Sequence, residues 1–187
     1  MDYAETLASA EELLSLWSGV VTHPSPERVD VTIPDRFLKA AVKALVEAKW
    51  GYLAAITGLD HPGTTQPAPE ELRWQRLSEE GETAPGAEDR EGTLEVLYHF
   101  CNGPCILTLR VSGIRYTFPV LNSICGVIPM ATLYERELSE MFGIKIVGTP
   151  VVDKLLLPDD WPDGVFPLRK SFEHLTEPAQ GKPGEAA

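Results

Sequence analysis

Apolar residues change their spacing several times along this chain, and each change marks an element. Leu7, Leu13, Leu14 and Trp17 recur among Ala and Glu, which predicts a helix over residues 4–17 ended by Gly19. Val29, Val31 and Ile33 alternate with Arg28, Asp30 and Thr32, the period-two mark of a half-buried strand. Pro34 stops that strand and suits the first turn of a helix, where its missing N–H costs nothing. Phe37, Ala41, Ala44, Leu45 and Ala48 fall at helical spacing there, with Lys39, Lys43 and Glu47 on other faces, and Gly51 closes the segment. The short apolar run Tyr52–Gly58 predicts a buried strand.

Residues 59–92 lose this periodicity. Pro62, Gly63, Pro67, Pro69, Gly81, Pro85, Gly86 and Gly92 lie among acids, which predicts a flexible loop with a helical turn around Glu70–Leu77. Thr93–Cys101 and Cys105–Val111 then flank Asn102-Gly103, a dipeptide that favours a type I′ hairpin because both central residues take positive φ. Pro104 works against it, having no N–H for the ladder. Ser112-Gly113 predicts another turn and Ile114–Val120 a further strand. Met130–Phe142 reads as a helix with Tyr134, Leu138, Met141 and Phe142 on one stripe, stopped by Gly143. The sum over residues 1–143 is an α+β domain, with helices on one face of a mixed, mostly antiparallel sheet of about five strands.

Residues 144–172 follow no such rule. Ile144, Ile146, Val151, Val152, Leu155, Leu156, Leu157, Trp161, Val165, Phe166, Leu168 and Phe172 are broken up by Gly148, Pro150, Pro158, Pro162, Gly164 and Pro167. Prolines at this density forbid a long helix or a central strand. An extended apolar arm either packs back on its own domain or docks on another protein, and composition alone leaves both open. Residues 173–187 predict a disordered tail.

Charge narrows the partner. Acidic residues number 28 against 16 basic, a formal net charge of −12, which argues against nucleic acid and against an anionic membrane surface. No apolar run reaches the roughly 18 residues a membrane helix needs. The first residues carry no basic stretch before an apolar run, so no signal peptide is predicted. Three cysteines, an odd number, suggest a reducing, cytoplasmic setting rather than a disulfide framework. Any membrane association then runs through partner proteins.

Three blocks in fixed order are more specific: Glu135-Arg136-Glu137-Leu138-Ser139-Glu140-Met141-Phe142-Gly143, Leu157-Pro158-Asp159-Asp160-Trp161-Pro162, and Pro167-Leu168-Arg169-Lys170. Together they resemble the 30-kDa subunit family of complex I, which serves bacterial NADH–quinone oxidoreductases and has related members in energy-converting nickel–iron hydrogenases. The resemblance covers roughly residues 93–172, and the N-terminal part by layout only. Glu140, Ser171 and Thr149 stand where the family commonly has Asp, Asp and His. The run Leu157–Val165 looks closer to the hydrogenase branch.

The resemblance implies a non-catalytic subunit on the cytoplasmic side of a membrane complex, supporting electron transfer coupled to ion translocation. Residues 144–172 would wrap a 49-kDa-type large subunit, near an Fe–S subunit. It implies no cofactor in this chain. Fe–S clusters, and a nickel–iron centre or a quinone, would sit in the partners. The interface would draw on Glu135, Arg136, Glu137, Glu140, Trp161, Pro167, Leu168, Arg169 and Lys170.

The residues also admit other chemistry. Cys101, Cys105 and Cys125, with His99, suggest a small metal or redox protein, although a four-iron cluster takes four Cys and zinc needs a fourth ligand. Glu135, Arg136, Glu137 and Glu140 read in three ways: an acid–base cluster, a solvated helix face with Arg136 and Glu140 paired, or a network to a partner or to this chain's own arm. Arg169 and Lys170 are either a solvated pair or an anchor that forks onto a carboxylate. No Gly-rich nucleotide motif is present.

Overall fold

The structure is a computed structural model and describes residues 3–63 and 91–175. In chain order it has α1 (Tyr3–Leu14), β1 (Val21–Ser25), β2 (Arg28–Thr32), α2 (Asp35–Glu47), β3 (Tyr52–His61), β4 (Thr93–Asn102), β5 (Cys105–Arg115), β6 (Val120–Asn122), α3 (Ala131–Phe142) and β7 (Lys145–Val147). The main sheet has the order β1-β2-β5-β4-β3, and β6 and β7 form a second, two-stranded sheet. Within the main sheet β2 runs parallel to β5 and the other pairs are antiparallel.

The register explains the core. Val29 and Val31 lie opposite Leu107 and Leu109, which lie opposite Phe100 and Tyr98. Those residues share one face, because side chains alternate along a strand. Onto it pack Leu7, Ala10 and Leu14 of α1, Leu38, Ala41, Val42 and Leu45 of α2, and Leu138 and Phe142 of α3. The three helices among the described residues therefore cover one face of a mixed sheet, the α+β arrangement expected. Each fully buried Leu or Phe contributes roughly 1.5–3 kcal/mol.

The other face is polar. Arg28 donates to Asp30 (2.9 Å) and Arg110 to Glu95 (2.8 and 3.1 Å), while Arg110 also reaches Asp30 at 3.4 Å. His61 joins Glu95 at 3.0 Å. Burial works to raise the Glu95 carboxyl, but hydrogen bonds from Arg110 and His61 outweigh it and hold Glu95 below its ordinary value.

Several expectations need correction. The β4–β5 loop is Gly103-Pro104, since Asn102 pairs with Cys105. Gly103 has φ 58 and proline fixes a negative φ next to it, so the turn follows the type II′ pattern rather than type I′. No turn interrupts the chain at Ser112-Gly113: β5 runs on to Arg115 through a bulge, with Gly113 at φ 75. Val120–Asn122 leaves the main sheet to pair with β7. The first helix ends at Leu14, and the α2 stripe is centred on Leu38 and Val42 rather than on Phe37 and Ala44. β3 continues to His61. Most of the expected loop, residues 64–90, and the tail beyond 175 lie outside the described residues. Among the described residues no helix is long and apolar enough to cross a membrane.

Candidate partner interface

Helix α3 is built to hold the segment C-terminal to it. Gly143 closes the helix at φ 70, a left-handed conformation that suits glycine, and its N–H returns to Ser139 O at 3.0 Å. The chain then turns back. Ile144 and Ile146, expected in the extended arm, are instead buried, and Lys145–Val147 pairs with β6, so the core extends past Gly143 into β7 and the irregular arm starts after Val147. A side chain at Gly58 would meet the Phe142 ring, and one at Gly143 would meet the Phe166 ring.

The acidic and basic side chains of α3 face three directions. Glu135 is 1% exposed and accepts hydrogen bonds from Ser123 Oγ (2.8 Å), Ile124 N (2.8 Å) and Cys125 Sγ (2.9 Å). It ties the turn before α3 to the helix and presents nothing to a partner. Arg136 donates through Nε to Asp153 O (2.8 Å) and through Nη2 to Lys154 O (2.7 Å). Glu140 accepts three successive backbone N–H groups, from Leu155, from Leu156 at 2.8 Å and from Leu157 at 3.2 Å. Arg136 and Glu140 form no ion pair with each other among the described residues; of the readings left open, they grip the chain's own arm. Glu137 is half-buried and makes no hydrogen bond or ion pair among the described residues.

The arm also organises itself. Lys154 Nζ donates to Pro158 O (3.3 Å), Asp159 O (3.1 Å) and Trp161 O (3.2 Å). Trp161 donates to Val165 O at 2.8 Å and tilts against Phe172, with ring centroids 6.2 Å apart. Pro167 is half-buried, and Leu168 N donates to Met141 O at 3.1 Å.

Arg169 donates to Phe142 O at 2.8 Å rather than to a carboxylate, and lies 4.8 Å from the Tyr116 ring centroid and 4.7 Å from that of Phe166. Lys170 N donates to Asp60 Oδ2 at 2.7 Å, and the Tyr116 hydroxyl donates to the same carboxylate. Burial, then that hydrogen bond to Asp60, raises the Tyr116 phenol to about 12.

The result is a segment whose backbone at 153–157 is turned toward α3, with Trp161, Phe166 and Phe172 half-buried and four aliphatic side chains turned outward. Val152 is 84% exposed, Leu156 60%, Leu168 52% and Leu155 36%. Apolar exposure held in fixed positions is the ordinary mark of a protein contact. Asp60, Tyr116 and Lys154 were not singled out by the sequence pattern, and no spacing signal points to them.

The cysteines do not converge. Cys101 opposes Ile106 while Cys105 opposes Asn102, so the two thiols project to opposite faces of the sheet. Cys125 lies against Glu135 and Thr132. Among the described residues no group of three or more His, Cys, Asp or Glu is placed to hold a metal.

A family model described as the respiratory-chain NADH dehydrogenase 30 Kd subunit matches residues 31–178. The chain is 41% identical over 76 residues to formate hydrogenlyase subunit 5 of Escherichia coli, covering 40% of this chain and only 13% of that protein. It is 28% identical over 169 residues to a subunit of the NADH-quinone oxidoreductase of Moorella thermoacetica, covering 89% of this chain and 95% of that one. Its fold resembles a chain of the membrane-bound sulfane sulfur reductase, an archaeal respiratory membrane complex, with TM-score 0.59 and 16% identity over 91% of this chain and 87% of that chain.

Proposed function

The chain belongs to the family of the respiratory-chain NADH dehydrogenase 30 Kd subunit, and from that premise we propose that it is a non-catalytic peripheral subunit of a complex-I-like oxidoreductase. The parent complex is an NADH–quinone oxidoreductase or an energy-converting hydrogenase. In it the chain docks on the 49-kDa-type large subunit beside an Fe–S subunit, on the cytoplasmic side of the membrane. It supports electron transfer coupled to ion translocation by holding the electron-carrying subunits in place, and itself carries no cofactor.

The observation that supports docking most directly is the inverted arm. Arg136 and Glu140 bind its backbone at five points and leave Val152, Leu155 and Leu156 outward. Water gives such a ridge no stabilisation, whereas a second protein buries it at about 25 cal/mol per Å² of apolar area. The test is co-purification of the assembled complex carrying Val152→Ser and Leu156→Ser. The expected result is loss of this chain from the large subunit while the isolated variant still folds. Full retention at wild-type yield overturns the reading.

A further inference from the structure

The arm carries acids beside its apolar ridge, and their position depends on one lysine. Lys154 Nζ draws the carbonyls of Pro158, Asp159 and Trp161 to within 3.3 Å. That folds the acidic loop back against residues 153–156. Asp153, Asp159, Asp160 and Asp163 are all exposed, and none makes a side-chain hydrogen bond or ion pair among the described residues.

The neighbouring cations are held elsewhere. The Lys154 ammonium donates to three carbonyls, the Arg136 guanidinium donates to Asp153 O and Lys154 O, and Arg169 lies against Tyr116 and Phe166. The outer surface is therefore an apolar ridge (Val152, Leu155, Leu156) beside four exposed carboxylates that form no ion pair among the described residues.

We infer that this surface fits a protein groove with an apolar floor and a rim of Lys and Arg, and that the rim sets orientation and encounter rate while the floor supplies most of the affinity. The inference rests on the docking reading above and specifies the chemistry of the partner's side. An anionic lipid surface is disfavoured, because the carboxylates would face phosphates of like charge. Carboxylates of this kind also exclude wrong partners that bear acids at the same place.

The test measures binding of the full-length chain to the purified large subunit across a salt series. Three forms are compared: wild type; Asp159→Asn, Asp160→Asn and Asp163→Asn together; and Val152→Ser with Leu156→Ser. All substituted side chains are exposed on the arm, and circular dichroism checks that each form is folded. Wild-type affinity should fall as salt rises. The triple variant should bind about tenfold more weakly at low salt and lose most of its salt dependence.

Wild-type affinity and salt slope in the triple variant, with binding lost in the apolar variant, overturn the basic rim and leave the docking reading intact. Wild-type binding in both variants overturns the docking reading itself. Binding of the wild-type chain to vesicles of phosphatidylcholine and phosphatidylglycerol, without the large subunit, also overturns the inference.

Discussion

The sheet domain and the arm solve the same problem in opposite ways. In the sheet, backbone groups pair along ladders and apolar side chains such as Val31, Leu107 and Phe100 go inward. In the arm beyond β7, the prolines and glycines rule out a ladder, so side chains from α3 satisfy the backbone at 153–157. Glu140 takes three N–H groups and Arg136 two carbonyls. Several of the arm's own aliphatic side chains, Val152, Leu155 and Leu156 among them, are then left to solvent. The contrast teaches that a segment can be well fixed without having a core. Polar groups fix residues 153–157, and the exposed Val152, Leu155 and Leu156 remain available for another molecule.

The comparison can be broken hardest with one substitution made in both regions. Val31→Ser, at a fully buried site, should destabilise the whole domain by about 3 kcal/mol, read from the midpoint of denaturant unfolding. A shift under about 1 kcal/mol would show that the sheet tolerates polar groups and that the contrast is overstated.

A local effect comes next. Glu140→Ala should leave the unfolding midpoint almost unchanged. Hydrogen exchange at Leu155, Leu156 and Leu157 should become faster, as for a loss of roughly 1–3 kcal/mol of local protection. Unchanged exchange would mean that the helix does not hold the arm.

The polar face offers a test by pH. Glu95 has its folded value held below the ordinary 4.5, so the unfolded chain binds that proton more readily. Its contribution is present above about pH 4.5 and lost as pH falls through the lowered folded value. Unfolding free energies of wild type and Glu95→Gln should therefore differ most near neutrality and converge in acid. A gap that widens in acid would reverse the sign of this account. Smallest of all, Val152→Ser should change the isolated chain's stability by no more than about 0.5 kcal/mol.

Periodicity made the core legible where elements are long and amphipathic. The alternation at 28–33 and the stripe on α3 both correspond to observed elements. It failed where an element is short or exposed. β1 has five residues, contains Pro24 and is mostly solvent-facing, and β7 has three, so neither shows a pattern. The bulge at Gly113 reads locally as a turn because glycine serves both, and only pairing with β4 distinguishes them.

In the candidate interface the motif residues were visible, but their directions were not. Glu135 turns inward because Ser123 and Ile124 lie eleven or twelve residues back on a turn that no spacing announces. The Asp60 bond to Lys170 spans 110 residues and is invisible to any local rule.

That last bond fastens the arm at its far end as α3 fastens it near the start. A strap tied at two places resembles a handle more than a loose tail: its shape exists before anything takes hold of it. If the arm docks as proposed, little ordering entropy is lost on docking, and the aliphatic ridge spends less of its binding energy on ordering. Assembly should proceed as the meeting of two finished surfaces, with no folding step in between.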